Sequence, residues 1–403
     1  MGSVSTPDEQ PRQALLARWL NELPDYVILR NEKDLFENLT RGGDLDLLVG
    51  DPGLAERTLI HRVGPPLRIT RRSSVTGYSY EWGHIDLLSR LEWRGACYLQ
   101  THTVLNARQR SASGRPVPAL AHEALISWLT SLLWGGFFKE RYDSLICDAA
   151  RVDHSRMCDA LIEAFGKRWG GQMCRTATEG HPEVSAPWAR SLRFALWRRT
   201  IARSPGRTIR GFLAFVVSEL RLRVRPPVPW IAVVGSDPQQ TASVTTAILE
   251  RFATCRYAAA RAFRWPMGDT SKSPVASARR TLVTATNWVI AYWTHWVHLR
   301  AKGYVVVIEC AQLRPGLAPR PDLVFVVASG SDLRSGRPQD KTQRPAGVMF
   351  GGSSQATDHA GEIEDFVRAW LAGRAGSGPA VSSTGTTPNG TMERSRGPAF
   401  DQR

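Results

Sequence analysis

The chain has 403 residues, 42% of them hydrophobic, with 52 Lys and Arg against 37 Asp and Glu and a formal net charge of +15. That length exceeds one ordinary core and predicts two or three domains, which the apolar fraction suffices to bury. The polar N-terminus MGSVSTPDEQPRQ, the lack of an apolar run of membrane-spanning length, and six scattered cysteines without CxxC spacing argue against export, membrane insertion, a disulfide framework and a zinc site, so a cytoplasmic protein is expected.

After a flexible N-terminus over residues 1–11, residues 12–115 alternate between helical and extended patterns. QALLARWLNEL has helical spacing, DYVILR reads as a strand, EKDLFENL as a short helix, DLDLLVG as a strand and GLAERTLIHRV as a helix. LRITRRS, TGYSYEW and HIDLLSRLEWRG follow as antiparallel strands separated by turn residues, so the first part is α/β with a mixed sheet. Within it, RGGDLDLLVG sets Asp44 and Asp46 two apart in an apolar run. On a strand both carboxylates point to one face while Leu45 and Leu47 point to the other, and such a pair repels unless water or a cation offsets it.

Residues 116–228 read as mostly helical, and RPPVP at 225–229 closes them because three prolines in five residues cannot continue a helix. From Arg190 to Arg225 there are ten arginines against the single acid Glu219, a local balance of +9 by subtraction. Such a stretch suits peripheral contact with an acidic membrane surface, or contact with nucleic acid or a phosphorylated substrate, or is a solvated helical face.

Residues 229–373 open with the buried-strand signature WIAVVG, then SDPQQ and the helical run TASVTTAILERF. A long helix over ARRTLVTATNWVIAYWTHWVHLRAKG, strands YVVVIE and DLVFVVA, and a last helix GEIEDFVRAWLAGR predict a parallel sheet with helices on both faces. Residues 374–403 are rich in Gly, Ser, Thr and Pro and read as disordered. The fold class expected is therefore α/β multidomain, with an N-terminal mixed sheet, a helical middle and a C-terminal parallel sheet.

HIDLL adds a third acid, Asp86, on a strand expected beside the first pair. Three carboxylates on one sheet edge can hold two Mg2+ ions, which align a nucleoside triphosphate and activate an acceptor hydroxyl for in-line attack. At this point LRN, GGDLDLLV and HIDLL resemble the polymerase-β-type nucleotidyltransferase fold, over residues 24–100. The resemblance implies that Asp44, Asp46 and Asp86 are metal ligands, with Asp86 also the base for the attacking hydroxyl. Arg30, Asn31, Gly42 and Gly43 would meet the nucleotide, although the family has Gly-Gly or Gly-Ser where this chain has Arg30 and Asn31.

WIAVVGSDPQQTASV is similar to the phosphate loop of thymidylate-kinase-like domains, with Gly235, Ser236 and Asp237 in matching positions. Gln240, Thr241 and Ala242 replace the glycine, the lysine and the magnesium-binding hydroxyl that a working loop needs. GYVVVIEC carries Glu309 and Cys310 where that family has Asp-Arg, and Arg334, Arg337 and Lys341 match basic positions of its lid. The order of parts resembles a bacterial fusion family often encoded among genes for surface polysaccharide or other secondary products.

His84 and His122 show no metal-binding spacing, and Trp288, Tyr292, Trp293 and Trp296 at helical spacing read as core. Lys139, Glu140 and Arg141 are candidate acceptor contacts at the end of a packed helix. The sequence is compatible with three functions. One is a Mg-dependent transferase moving a nucleoside monophosphate from an NTP to a small-molecule acceptor. The others are a non-catalytic nucleotide-binding or scaffold protein and a nucleotide kinase with an altered loop.

Overall fold

The computed structural model describes residues 9–30, 32, 35–40, 43–235, 237–255, 258–264, 295–310, 321–327, 347–351 and 356–376. The first part contains α1 (Glu9–Glu22), β1 (Tyr26–Ile28), α2 (Leu35–Thr40), β2 (Asp44–Val49), α3 (Pro52–Val63), β3 (Arg68–Arg71), β4 (Val75–Ser79), β5 (His84–Leu88), β6 (Leu91–Trp93) and β7 (Ala96–Leu99). Five of its strands form one mixed sheet in the order β1-β2-β5-β4-β3. Only β2 and β5 are parallel within it.

Alternation along β2 builds two different faces. Leu45, Leu47 and Val49 join Trp19 and Leu20 of α1 and Leu59 of α3 in one core. Leu48 points the other way, into a core shared with Leu125 and Trp128 of the helical part that follows. Asp44 and Asp46 have the parity of Leu48, so the helical part packs on the face that carries the acids. Asp51 starts α3 by accepting a hydrogen bond from Leu54 N at 2.9 Å.

After α4 (Thr101–Asn106) and the short pair β8 (Gln109–Arg110) and β9 (Pro116–Val117), the middle is helical as expected, with α5 (Leu120–Thr130), α6 (Asp143–Val152), α7 (His154–Thr178), α8 (Ala189–Arg203) and α9 (Pro205–Val224). α7 breaks at Gly166, whose φ of +83° lies in the left-handed region. Its halves fold back on each other so closely that a Cβ on Gly170 would lie 2.5 Å from Leu161 O.

The third part comprises β10 (Trp230–Val234), α10 (Pro238–Ala253), β11 (Ala259–Arg264), α11 (Val297–Ala301), β12 (Tyr304–Cys310), β13 (Leu323–Val327), β14 (Gly347–Gly351) and α12 (Ala356–Gly376). Its sheet runs β11-β12-β10-β13-β14, and every pair is parallel. Side chains of α10 and α12 cover one face and Trp296 and Val297 the other, as the strand–helix alternation predicts. β11 and β14 escape sequence reading because AARAFR lacks a period-two apolar pattern and GVMFG is short and flanked by glycines. α1 begins at Glu9 and α12 reaches Gly376, each a few residues beyond the expected boundary, as fraying ends commonly do.

Polar ties between the parts include Arg68 Nη1 donating to Gly303 O at 3.0 Å, Arg300 Nε donating to Val228 O at 3.0 Å, Arg72 lying 3.9 Å from Glu219, and Arg368 pairing with Glu81. Among the described residues no helix is long and apolar enough to cross a membrane. Asn31, Gly42, Ser236, Arg334, Arg337, Lys341, Trp288, Tyr292, Trp293, most of the expected long helix and residues 377–403 lie outside the described residues.

Candidate active site

The register of β2 on β5 brings the three acids together: Asp44 lies opposite His84 and Asp46 opposite Asp86. Because opposed residues on paired strands point to the same face, all four polar side chains share one surface. Burial raises the pKa of Asp46 to about 6 against the pull of Arg30, and the Asp86 and Asp44 carboxylates push the same way. The Asp44 pKa is raised too, by burial first, with His84 opposing.

His84, which lacks the histidine spacing of a zinc site, belongs to this cluster. Its Nε2 is 3.0 Å from Asp86 Oδ1, and its Nδ1 is 3.0 Å from Ser79 Oγ on β4. Arg68 Nε donates to that same Ser79 Oγ at 3.2 Å. A guanidinium only donates, so Ser79 accepts from Arg68 and is free to turn its own proton to Nδ1. Nε2 then carries the imidazole proton and donates to Asp86, an assignment made from the hydrogen-bond directions. Burial lowers the Arg68 pKa to about 10, which the neighbouring Asp86 opposes.

Gly77, opposite Asp86 on β4, leaves the space this contact needs, since a Cβ there would sit 2.8 Å from Asp86 Oδ1 and 2.9 Å from His84 Nε2. The signal for His84 lay in the sequence, in the spacing of His and Asp two apart in HIDLL, the same period that selected Asp44 and Asp46.

Arg30 follows β1 and reaches Asp46 Oδ2 with Nε at 3.5 Å; it is drawn there because Leu29 N bonds Asp46 O at 2.9 Å and carries the antiparallel pairing one step past the strand. The buried Arg30 Nε makes no hydrogen bond of good geometry. Gly43 stands just before β2. The carboxylate oxygens are aligned but not gathered: among the described residues, the group with three ligand atoms mutually within 4.8 Å is His154, Cys158 and Cys174.

That group corrects the expectation that the cysteines are scattered. The backfolding of α7 about Gly166 brings Cys158 onto Cys174, 16 residues on, and the two form a disulfide with Cα atoms 5.3 Å apart. His154 lies one turn before Cys158, with Nε2 3.6 Å from its Sγ. Sequence spacing could not reveal this pairing because the hairpin that creates it hinges on one glycine inside a continuous helical pattern.

In the third part, Gly235 and Asp237 stand between β10 and α10 as the phosphate-loop resemblance implies, but their contacts are internal. The Asp237 carboxylate caps α10 by accepting from Gln239 N at 2.8 Å. Thr241 Oγ1 donates to Asp237 O at 2.7 Å and fills the turn, so that a Cβ on Gly235 would meet it at 2.7 Å. A fixed carboxylate at a helix N-terminus meets the donors a phosphate would use and repels its charge. Glu309 and Cys310 end β12 buried in the sheet, where Cys310 O accepts from Gly235 N at 3.2 Å and burial pushes the Cys310 thiol up to about 12.

Lys139 and Arg141 are turned onto the rings of Phe137 and Tyr142. His122 is buried on α5 at the wall of a cavity of about 450 Å³ bounded by α7 and α8; burial lowers its pKa, and its Nδ1 has no hydrogen-bond partner. No protein-family model matches the chain, and no curated protein matches it.

Proposed function

We propose that the chain transfers a nucleoside monophosphate from a nucleoside triphosphate to a hydroxyl of a small acceptor, on the face of β2 and β5. The observation that carries this reading is the alignment of Asp44, Asp46 and Asp86 on one face of two neighbouring parallel strands, in an order that resembles polymerase-β-type transferases. Carboxylate oxygens suit Mg2+, and burial first, with the neighbouring carboxylates adding to it, raises the pKa values of Asp44 and Asp46, a cost of ionisation that a cation drawn onto this face would offset, so the residue types fit the ion. Asp44, Asp46 and Asp86 would hold it, and when bound it neutralises the triphosphate and polarises the reacting phosphorus.

The protein's own groups supply the remaining chemistry. His84 fixes the Asp86 carboxylate by donating to Oδ1, and that carboxylate accepts the proton of the attacking hydroxyl. Arg30, beside Asp46, offers its guanidinium to the triphosphate. The helical middle packs against the far end of the same face and bounds the space for the acceptor.

A second reading, a non-catalytic nucleotide-binding or scaffold protein, is favoured by two contacts: Thr241 and Asp237 fill the phosphate turn, and Arg30 already balances Asp46. A kinase reading is weaker still, because the lysine position holds Thr241.

Isothermal titration with each nucleoside triphosphate and Mg2+, beside the Asp44→Asn, Asp46→Asn variant, tests the transferase reading. Metal-dependent binding that the variant loses is expected. Binding that survives the variant, or none at all, would favour the scaffold.

A further inference from the structure

α9 is a 20-residue helix that packs on the rest of the described residues along one side. On that side Gly211 meets Gly95 so closely that an added Cβ would lie 2.9 Å from Gly95 Cα, Phe212 packs edge-on to Trp197 at 5.2 Å, and Phe215 lies 6.2 Å from Trp134. The opposite side carries Ile209, Leu213, Val217, Leu220 and Val224, each between 50% and 74% exposed. With 3.6 residues per turn these five fall within an arc of about 80°. Arg210 and Arg221 border the arc on one edge and Arg223 on the other, all exposed. The one acid of the stretch, Glu219, lies near Arg72 at the packed side. On α8, Phe194 is 70% exposed with the exposed Arg190 and Arg198 one turn to either side.

We infer that this face of α9 lies on an anionic lipid bilayer, with the aliphatic stripe in the acyl boundary and the bordering arginines at the headgroups. Charge selects this occupant. A second copy would bring arginine borders against each other without a facing acid, and nucleic acid would use the arginines but leave five aliphatic side chains in water, none of them a ring on which a base could stack. An anionic bilayer satisfies both features, and a helix bound in this way lies in the surface without spanning it.

The test is co-sedimentation of the full chain with vesicles of phosphatidylcholine alone or mixed with phosphatidylglycerol. The protein should sediment with the mixed vesicles and not the neutral ones, less so as salt is raised. The variant Leu213→Ser, Val217→Ser, Leu220→Ser and the variant Arg210→Gln, Arg221→Gln, Arg223→Gln should each lose about tenfold or more in partitioning. All six positions are exposed, and circular dichroism checks that the helix persists; if the first variant unfolds, Leu220→Ser alone should still lose severalfold. The inference is overturned if the serine variant sediments like the wild type. It is also overturned if the wild type ignores anionic vesicles while binding duplex DNA, or runs as a dimer that the serine variant converts to a monomer.

Discussion

At the scale of single residues, the site is governed by the cost of ionising a buried carboxylate, to which the neighbouring carboxylates add. Burial pushes the Asp46 carboxyl up to about 6 from its ordinary 3.8, so the folded state holds its proton more tightly than the unfolded state does. The sign follows: its contribution is fully present below about pH 4 and is lost as pH rises through 6, where the ionised group costs roughly 3 kcal/mol. In metal-free buffer Asp46→Asn should therefore raise the melting temperature by several degrees at about pH 8, with the difference vanishing at about pH 4. An unchanged melting temperature at the higher pH would contradict the burial and crowding assigned to this carboxylate. For His84, Ser79 accepts from Arg68 and can turn its own proton to Nδ1, an arrangement that favours the tautomer with Nε2–H donating to Asp86. Two-bond proton–nitrogen correlation spectra should report that tautomer, and Ser79→Ala should weaken the preference.

Elements carry constraints that no single residue does. The two halves of α7 approach so closely because Gly170 lacks a side chain, and Gly170→Ala would force its Cβ against Leu161 O. The expected cost is about 1–3 kcal/mol, read as a lower melting temperature, whereas Gly171→Ala next to it, with open space around its Cβ, should be neutral or slightly stabilising. The same hairpin sets the cysteine count. Thiol titration of denatured protein purified without reductant should find four of six cysteines free, and all six after reduction; six free thiols in both samples would deny the Cys158–Cys174 bond. On β4, Gly77→Ala should separate His84 from Asp86 and weaken metal-dependent nucleotide binding while leaving the sheet paired.

For the molecule as a whole, a half-buried guanidinium links the third part to the carboxylates among the described residues. Arg68 bonds Gly303 O with one arm and Ser79 with the other, and Gly303 sits at φ +93° with no room for a Cβ beside Arg68 Nη1. Gly303→Ala should cost about 1–3 kcal/mol through backbone strain and displace Arg68, so hydrogen exchange should quicken along β3 and β4 as well as near residue 303. Faster exchange confined to residue 303 would show that the guanidinium does not couple the two parts.

The sequence by itself determined the class of the fold and the identity of the acids. Period-two alternation in DLDLLV and HIDLL, helical spacing across 120–224 and the apolar strands WIAVV and YVVVI are local signals, and local signals survive without tertiary context. Tertiary structure alone decided the rest, because those features depend on which strands become neighbours and how the chain reverses. The parallel register of β2 on β5 placed His84 and Asp86 opposite Asp44 and Asp46. A reversal at Gly166 made a disulfide of cysteines 16 residues apart, and the packing of α9 against the described residues left its aliphatic stripe exposed. Such contacts join residues distant in the chain, and their free energy comes from pairing and burial that no short window of sequence contains.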